Sequence, residues 1–482
     1  MNDHGVSRRQ ANRILLASGL AAAGGLATAA GSLAQPVVPK KEKDKVPPKP
    51  PQGAKPAAQA NQPPPQPRSW IDGAMRRGKT HDWILKPTVH VQAYQEDPAR
   101  ATGDRPLVIG ALTFKTAAVL FPVIRGTASS ETDIDNVKSE LTFNDRTEDI
   151  KADYNESYHA GVRLGRWELR DKTGKEVELK LEIPMTCWEP ILDEKKAAEA
   201  QWPTGGKWPR MAQSTLAKQA RVDLETADST ALKDLLDKWL GGQKPEAIPP
   251  FLLAKTLCGK VIETFQPSGN GELYDKLGAF TGLALAGPAE TIRTGKGSPH
   301  EIASVLLGVY RAAGLPARLV IGYDESENKG NDSSPFSKKR NGGTRVRSWV
   351  EFCLVDEFAP PMPPPGSPSA PAPPVPSTAP VVPRELWIPS DPVRIRKRSS
   401  QLARIDQPWK FFGTHDELPY VLPFAHHFIP PTTVVAYGYA FWGWFTTPTT
   451  QIAEHWLRFQ AQTAPKRAKP NPRGQPVKPP TR

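Results

Sequence analysis

The residues best placed for chemistry are Ser-Pro-His-Glu at positions 298–301, directly before an apolar segment. The apolar residues behind them recur at the three- and four-residue spacing of one helix face: Ile302, Val305, Leu306, Val309 and Tyr310. Ser298 is therefore expected to be an N-cap, Pro299 the first helical residue and Glu301 the third, which together make a capping box. The helix is expected to end at Gly314. Because a cap supplies no general base, we favour this structural role for Ser298 over that of a nucleophile.

Three segments resemble the transglutaminase-like superfamily in their order and spacing. GKGSPHEIASVLLGVYRAAGLPARLVIGY at 295–323 resembles the helix and strand that carry its catalytic cysteine. RSWVEF at 347–352 resembles its His-x-Trp-x-Glu strand, and LWIPSDPV at 386–393 resembles its strand ending in Asp-Pro. The resemblance covers roughly residues 249–393. It implies an α+β fold, with a transglutaminase-like (papain-like) core of helices on an antiparallel sheet.

Of the catalytic triad that the resemblance implies, only the aspartate is retained. Pro299 takes the cysteine position, Arg347 the histidine position and Asp391 the aspartate position. The superfamily's reaction needs a thiolate, an imidazole that moves the proton and a carboxylate that orients the imidazole. Proline has no nucleophilic atom, and arginine stays protonated at physiological pH. We therefore predict a catalytically silent copy of the site, in which Arg347 and Asp391 form an ion pair.

Three classes of function remain open on the sequence. In the first, a non-catalytic module binds a peptide, a protein or the cell envelope through a cleft that includes Arg347, Trp349, Glu301 and His300. In the second, an active hydrolase or acyltransferase uses a rearranged set of His300, Glu301 and Asp391, with His300 expected to be exposed on the first helical turn. In the third, a structural envelope protein makes its contacts through basic tails.

No cofactor and no metal site is expected. The chain has three cysteines, which we interpret as buried core residues: Cys187, Cys258 and Cys353. Four residues of metal-binding types match no common zinc spacing and are expected at the surface or in the core: His415, Asp416, His426 and His427. The sequence therefore gives no metal-ion chemistry to replace the missing thiol and imidazole.

An aromatic run, VVAYGYAFWGWF at 434–445, lies near the C-terminal end. In an extended chain Tyr437, Tyr439 and Phe441 share one face, and Trp442 and Trp444 take the other. We favour a buried strand. An aromatic platform for a sugar or a peptide is the alternative.

The first residues resemble an export signal. Residues 1–34 have a basic start, a weakly apolar Ala/Gly/Leu run and small residues up to Ala34. Arg8-Arg9 is typical of twin-arginine export, although Ala11 and Asn12 depart from that pattern and leave the general secretory route open. We expect an exported protein, periplasmic or associated with the cell envelope.

The net charge of +13 lies at the ends of the chain. Residues 1–34 carry +2, residues 35–68 carry +5 and residues 466–482 carry +6, so that residues 69–465 are formally neutral. A folded basic face for nucleic acid is therefore not expected. The proline-rich basic ends are expected either to contact anionic cell-envelope polymer or a membrane surface, or only to aid solubility.

Composition and periodicity predict the following order of segments. An export signal (1–34) and a disordered Pro/Lys-rich linker (35–68) precede a β-rich, sandwich-type N-terminal domain (69–210). A linking helical segment (211–248) leads to the transglutaminase-like core (249–460), which a Pro-rich insertion (359–384) interrupts. A basic Pro-rich tail (461–482) ends the chain.

Overall fold

The computed structural model describes residues 71–96, 107–155, 162–274, 279–325, 345–357, 384–398, 402–428, 441–447 and 452–465. All of them belong to one compact unit. The predicted export signal, the linker, nearly all of the proline-rich insertion and the tail beyond Pro465 lie outside the described residues.

The described strands, in chain order, are β1 (Met75–Glu96), β2 (Leu107–Ile109), β3 (Leu112–Ile124), β4 (Gly126–Thr127), β5 (Ser130–Thr132), β6 (Lys138–Phe143), β7 (Arg146–Glu148), β8 (Asp153–Asn155), β9 (Val162–Gly174), β10 (Glu176–Leu192), β11 (Gln266–Pro267), β12 (Glu272–Tyr274), β13 (Phe280–Leu283), β14 (Lys296–Gly297), β15 (Ala317–Asp324), β16 (Val346–Asp356), β17 (Arg384–Ser390), β18 (Val421–Ala425), β19 (Gly443–Thr447) and β20 (Ile452–Thr463). The α-helices are α1 (Glu194–Ala197), α2 (Arg210–Ser214), α3 (Thr226–Leu240), α4 (Pro250–Thr264), α5 (Pro288–Thr294), α6 (Pro299–Ala312) and α7 (Pro392–Arg398). Short 3-10 turns cover Ile134–Asn136, Thr204–Gly206, Pro245–Ala247 and Leu418–Tyr420.

The N-terminal region is mainly β, as predicted. Its large sheet has the order β12-β13-β20-β1-β10-β5-β4, with β2 paired to β1 and β6 to β10 and β7. A second sheet has the order β19-β3-β9-β8. Alternate residues of β10 are buried, the pattern of a strand with one face on a core. Phe114 of β3 meets Phe143 of β6 edge to face, with ring centroids 5.9 Å apart, so the two sheets share one core.

The last described strand, β20, lies within the large sheet, between β13 and β1. β20 pairs antiparallel with β1 from Trp83↔Thr463 to Tyr94↔Ile452. Residues predicted to end the core and begin the tail therefore belong to the N-terminal sheet. Phe459 of β20 also packs against Phe424 and Tyr323, with centroids 4.7 and 5.4 Å apart, and so joins the N-terminal sheet to the core.

The predicted core of helices on an antiparallel sheet is confirmed. Its sheet has the order β17-β16-β15-β18, and every pairing in it is antiparallel. Helix α6 packs on this sheet, where Tyr310 meets Phe352 of β16 at 5.6 Å. The Tyr310 hydroxyl donates to the carbonyl oxygen of Ala254 in α4 at 3.0 Å, which ties the two helices together.

The predicted linking helix differs from the structure in extent and in role. Within the predicted segment 211–248, the long helix α3 begins only at Thr226 and is capped by Gly241. α3 packs against α5 and α6. A Cβ on Gly308 of α6 would lie 2.4 Å from Leu232 Cδ1, so the glycine permits this close approach. The helix is therefore part of the core. Among the described residues, no helix has the length and apolarity to cross a bilayer.

Candidate functional site: a closed arginine–carboxylate network

Helix α6 begins with the predicted capping box. The Ser298 hydroxyl accepts from the Glu301 backbone N–H at 3.3 Å, and the Glu301 carboxylate accepts from the Ser298 N–H at 2.7 Å. The other Glu301 oxygen accepts from the Ala286 N–H at 2.8 Å. Pro299 is the first helical residue. Both side chains of the capping box are thus engaged in capping the first turn of the helix.

His300 is buried, and the expectation that it would be exposed is wrong. Only 1% of the residue is accessible, because the first turn of α6 faces the core sheet. Its Nδ1 lies 2.7 Å from the Ser348 hydroxyl of β16. Burial lowers the pKa of His300 to about 4, so the imidazole is neutral at pH 7.

Arg347 and Ser348 are neighbours on strand β16, and their side chains point to opposite faces of the sheet. Ser348 contacts α6, and side chains alternate along a strand, so Arg347 points to the other face. The structure therefore separates Arg347 from the helix that begins with Pro299. Of the three triad positions, it brings together only Arg347 and Asp391.

Arg347 and Asp391 form the predicted ion pair. Arg347 Nε and Nη2 donate to the same carboxylate oxygen, Asp391 Oδ2, at 3.0 and 2.8 Å. Asp391 Oδ1 accepts from the Arg394 backbone N–H at 3.0 Å, as an N-cap of α7 does. Burial alone raises the pKa of Asp391, but Arg347, His415 and the Arg394 backbone N–H together outweigh it and hold that pKa well below its usual range.

Four further residues extend this pair into a network. Glu417 Oε2 lies 3.0 Å from Arg347 Nη1 and 3.2 Å from Arg394 Nε, and Glu417 Oε1 lies 3.3 Å from Arg398 Nη2. Asp324 Oδ2 lies 3.2 Å from Arg394 Nη2 and 3.6 Å from Arg347 Nη1. We call the set the arginine network: Arg347, Arg394, Arg398, Asp324, Asp391 and Glu417. Its three cations and three anions balance, as buried charges require.

His415 belongs to the edge of the arginine network. It is fully buried, and its Nε2 lies 2.9 Å from Arg347 Nη2. The Glu417 backbone N–H also points at the other ring nitrogen, Nδ1, at 3.3 Å. Both neighbours can only donate, so the imidazole is neutral and its one lone pair accepts from Arg347 or from Glu417. Burial, together with the Arg347 charge, lowers the pKa of His415. The lone pair that a general base needs is therefore already bound.

The other residues of metal-binding types lie apart from this network. His426 is buried and its Nδ1 lies 2.9 Å from the Leu319 carbonyl oxygen, while His427 is also buried. Asp416 pairs at the surface with Lys410 at 2.8 Å. Within the described ranges, no group of three His, Cys, Asp or Glu residues is arranged to hold a metal ion.

The rest of the resembling strand has a structural role. Glu351 is fully buried, and its Oε2 accepts from Arg318 Nη2 at 2.7 Å. Its Oε1 accepts from the Ala128 N–H of the β4–β5 turn at 3.0 Å. Trp349 is also fully buried and packs against Val320. Trp349 is therefore a core residue and does not line an open cleft.

The N-terminal sheet holds the chain segment 414–420 against the arginine network. Trp83 Nε1 of β1 donates to the Pro419 carbonyl oxygen at 2.9 Å, and His81 Nε2 lies 3.1 Å from the Tyr420 hydroxyl. The His415 N–H donates to the Pro190 carbonyl oxygen of β10 at 3.0 Å. These contacts keep His415 and the neighbouring Glu417 in place. They explain why the site is closed.

The three cysteines are free, buried thiols, as predicted. Cys258 is the one near the network, since the Ser390 hydroxyl donates to its sulfur at 3.2 Å. Burial raises the pKa of Cys258 to about 12 and raises those of Cys187 and Cys353 as well. At neutral pH Cys258 is therefore a thiol and a poor nucleophile.

The aromatic run is buried where the structure describes it. Phe441, Trp442 and Trp444 are at most 1% accessible, and Trp444 lies in β19, which pairs with β3. Tyr437 and Tyr439 lie outside the described residues. The favoured strand is thus present at residues 443–445 of the run, and the described part forms no aromatic platform. A shallow cavity of about 580 Å³ lies on the N-terminal β region, beside Gln92 and Asn144.

Sequence reasoning missed Asp324, Arg394, Arg398 and Glu417, and assigned His415 no partner. Asp324 is the last residue of β15 and follows the Gly-Tyr pair that ends the resembling segment, so the sequence weakly indicated its place at the end of that strand. Glu417 lies 70 residues from Arg347 in a segment without periodicity. Only the three-dimensional structure shows that these residues meet.

Comparison with known proteins agrees with the three resembling segments. Residues 274–391 match the family model of the transglutaminase-like superfamily (Transglut_core), so this part of the chain is a transglutaminase-like domain. No match to a curated protein was found.

Three solved structures are similar. A candidate cysteine protease from Cytophaga hutchinsonii has 11% identity and a TM-score of 0.43, covering 82% of this chain and 95% of its own. The periplasmic domain of TgpA from Pseudomonas aeruginosa has 14% identity and a TM-score of 0.22, covering 55% and 82%. A candidate protease from Parabacteroides distasonis has 11% identity and a TM-score of 0.17, covering 58% of each chain. At these values the likenesses carry no argument about activity.

Proposed function

We propose that this protein is an exported, catalytically inactive transglutaminase-like protein that acts as a binding module for a peptide, a protein or the cell envelope. The observation that carries the proposal is the closure of the arginine network. Asp391 is bound by Arg347 and by the start of α7, and N–H donors of Arg347 and Glu417 face both ring nitrogens of His415. No base is therefore free to activate a nucleophile there.

The rearranged acid–base set has little geometric support. Glu301 is engaged with the Ser298 and Ala286 backbone, His300 with Ser348, and Asp391 with Arg347. Each of the three residues thus has a different partner. This separation is why we favour binding over rearranged catalysis.

A turnover assay tests the inactive state. The full chain is assayed on glutamine-donor and peptide substrates, with and without a reducing agent, beside the Cys258→Ser variant. We expect no turnover above background in either protein. Thiol-dependent turnover in the wild type that disappears in Cys258→Ser would overturn the proposal, because Cys258 is the thiol nearest to Asp391.

One contact favours the alternative of an active hydrolase. The Ser348 hydroxyl and His300 Nδ1, 2.7 Å apart, have the geometry of a nucleophile and its base. Both residues are almost fully buried, and an imidazole with a pKa of about 4 is a weak base at pH 7. We expect a fluorophosphonate serine probe to leave the protein unlabelled. Labelling that is lost in Ser348→Ala but kept in Ser390→Ala would establish the alternative.

Export and envelope contact rest on the sequence of the two ends. The signal-like pattern of residues 1–34 supports export, and the +5 and +6 segments support attraction to anionic polymer or membrane. Such attraction is screened by salt. Co-sedimentation with anionic vesicles or cell-wall polymer should therefore fall as ionic strength rises. Retention that is equal in low and high salt would contradict an electrostatic contact.

A further inference from the structure

Glu417 occupies a position in which a single carboxylate contacts three guanidinium groups. Its Oε2 is shared by Arg347 and Arg394, and its Oε1 contacts Arg398, all within 3.0–3.3 Å. Arg394 and Arg398 come from one helix, α7, and Arg347 comes from the core sheet. Three arginines that converge on one carboxylate make a binding site for that group.

Among the described residues, the exposure of the arginine network increases from Arg347 to Arg398. The Arg347 side chain is 8% exposed at the inner end, the Glu417 side chain is 17% exposed, and the Arg398 side chain is 63% exposed at the outer end. The backbone beside Glu417 is held by the contact of Trp83 with Pro419. Displacement of Glu417 therefore requires rotation of its side chain away from the three arginines and no movement of the backbone.

The charge of the site determines which ligand group can replace the Glu417 carboxylate. With Glu417 in place, three cations face three anions; without it, the site holds one excess positive charge that is largely buried, which is costly. A monoanionic carboxylate restores the balance. A phosphate dianion would bring surplus negative charge close to Asp324 and Asp391, which lie 3.6 and 2.8 Å from Arg347. Charge therefore favours a carboxylate.

We propose that Arg347, Arg394 and Arg398 form a binding site for the carboxylate of an acidic peptide, and that Glu417 is its internal occupant. The proposal rests on the proposed function as a binding module, and it names the ligand group that the module takes. A ligand carboxylate enters from the Arg398 side and displaces the Glu417 side chain. Glu417 therefore sets the affinity, because every ligand has to compete with it.

Removal of the internal carboxylate tests the site. Full-length wild type and Glu417→Ala are titrated by calorimetry with N-acetyl-glutamate amide, its neutral glutamine analogue, acetate and inorganic phosphate. We expect Glu417→Ala to bind the glutamate compound at least tenfold more tightly than the wild type does, and at least tenfold more tightly than it binds the glutamine analogue. The double variant Glu417→Ala/Arg394→Ala should lose this binding.

The controls separate this site from other surface charges. Asp406→Ala frees Arg404, an exposed arginine 2.9 Å from a single carboxylate, and should gain no binding. If Glu417→Ala does not unfold cooperatively, the titration uses Glu417→Gln in its place, because glutamine keeps the shape of the side chain without its charge. Acetate as strong as the glutamate compound would indicate a site for free carboxylates. Equal binding of glutamate and glutamine compounds, tighter phosphate, or binding unaffected by Arg394→Ala would overturn the proposal.

The experiments distinguish failure of the carboxylate-site proposal from failure of the proposed function. Turnover by the wild type would end the claim of inactivity but leave carboxylate affinity measurable. A loss of carboxylate selectivity would end this inference but leave the protein without turnover. The two measurements share no readout.

Discussion

At the scale of single residues, Asp391 explains how an aspartate can have a role without the other triad members. One oxygen caps helix α7 through the Arg394 N–H, and the other binds Arg347. Either contact alone would be a structural use for a buried carboxylate. The two contacts therefore give Asp391 a structural role that does not depend on catalysis.

Removal of this carboxylate should destabilise the protein strongly. Asp391→Ala leaves Arg347 buried with a lost partner, and breaking a buried pair costs about 3–5 kcal/mol in the free energy of unfolding. Asp391→Asn keeps an acceptor for the helix cap and should cost less. Urea denaturation measures both. The matched control is Asp406→Ala, which breaks an exposed pair and should change stability by less than about 1 kcal/mol. Equal losses in Asp391→Ala and Asp406→Ala would argue against a buried pair.

His300 should make stability depend on pH in a defined window. Its folded pKa is about 4, against about 6.5 in an unfolded chain, so between these values the unfolded state binds a proton that the folded state does not. The free energy of unfolding should therefore fall by about 3 kcal/mol as the pH drops from 6.5 to 4. His415 and His426, whose pKa values are also lowered, add to the same trend.

Denaturation of the wild type and His300→Asn across this range isolates the contribution of His300. The variant should lose less stability on acidification, although it is less stable at pH 7. Parallel curves would show that His300 is already protonated or accessible. Asp391, whose pKa is lowered, loses its stabilising effect progressively as the pH falls from the usual range of an aspartate toward its lower folded pKa, so its contribution is lost mainly below the His300 window.

The resemblance placed Arg347 and Asp391 at two triad positions, and their opposite charges then predicted the pair, but not its surroundings. Opposite charges on two neighbouring strands of one sheet have few other ways to be satisfied when buried, and this made the pair predictable. The exposure of His300 was misjudged because the sequence does not say which side of a helix N-terminus meets a sheet. Glu417 could not be foreseen, since nothing local marks a residue whose partners are far away in the chain.

At the scale of elements, Glu351 couples the core sheet to the N-terminal region. It binds Arg318 within the core sheet and the Ala128 N–H outside it. Arg318 also lies under the Trp387 ring, with its guanidinium carbon 4.2 Å from the ring centroid. A single buried carboxylate therefore fixes two strands and one turn relative to each other.

Glu351→Ala should both destabilise the protein and release this turn. The buried Arg318 loses its partner, which costs about 3–5 kcal/mol. Hydrogen exchange of peptides covering residues 125–132 should become faster, because the Ala128 amide loses its acceptor. The control is Glu182→Ala, whose pairs with Lys86 and Lys138 are at the surface and contribute about 0–1 kcal/mol. Unchanged exchange at the turn would show that Glu351 does not hold it.

The sequence predicted elements well where periodicity and caps coincide. Helix α6 has an apolar stripe, a capping box and a glycine just beyond its end, and each signal marks the observed helix. Residues 216–225 share the helical spacing but lack such a start, and they form turns. Pairing of β20 with β1 is a contact across more than 350 residues, for which a single sequence carries no local signal.

At the scale of the whole molecule, folding depends on the last strand. β20 lies between β1 and β13, and it buries Leu457 and Phe459. A chain that ends at residue 451 loses this strand and leaves the edge of β1 unpaired. We expect it to lack a cooperative thermal transition, because loss of one large core residue alone costs about 2–5 kcal/mol.

The matched control is a chain that ends at Pro465, which keeps β20 complete. Circular dichroism melting and size-exclusion chromatography compare the two truncations with the full chain. Cooperative melting of the shorter chain at the same temperature would mean that the β-region folds without β20. Phe459→Ala, which keeps the strand but removes its contact with Phe424, should give an intermediate loss.

The pairing of β1 with β20 also has a mechanical consequence. The two strands run antiparallel, and Thr463 lies opposite Trp83, so both ends of the described unit leave the sheet on the same side. Tension applied between the two ends would load the β1–β20 hydrogen bonds one after another from that end of the ladder. It would not load all of them at once in shear. A protein anchored in an envelope by both of its flanks would accordingly yield at low force from this corner, with β20 peeling away first.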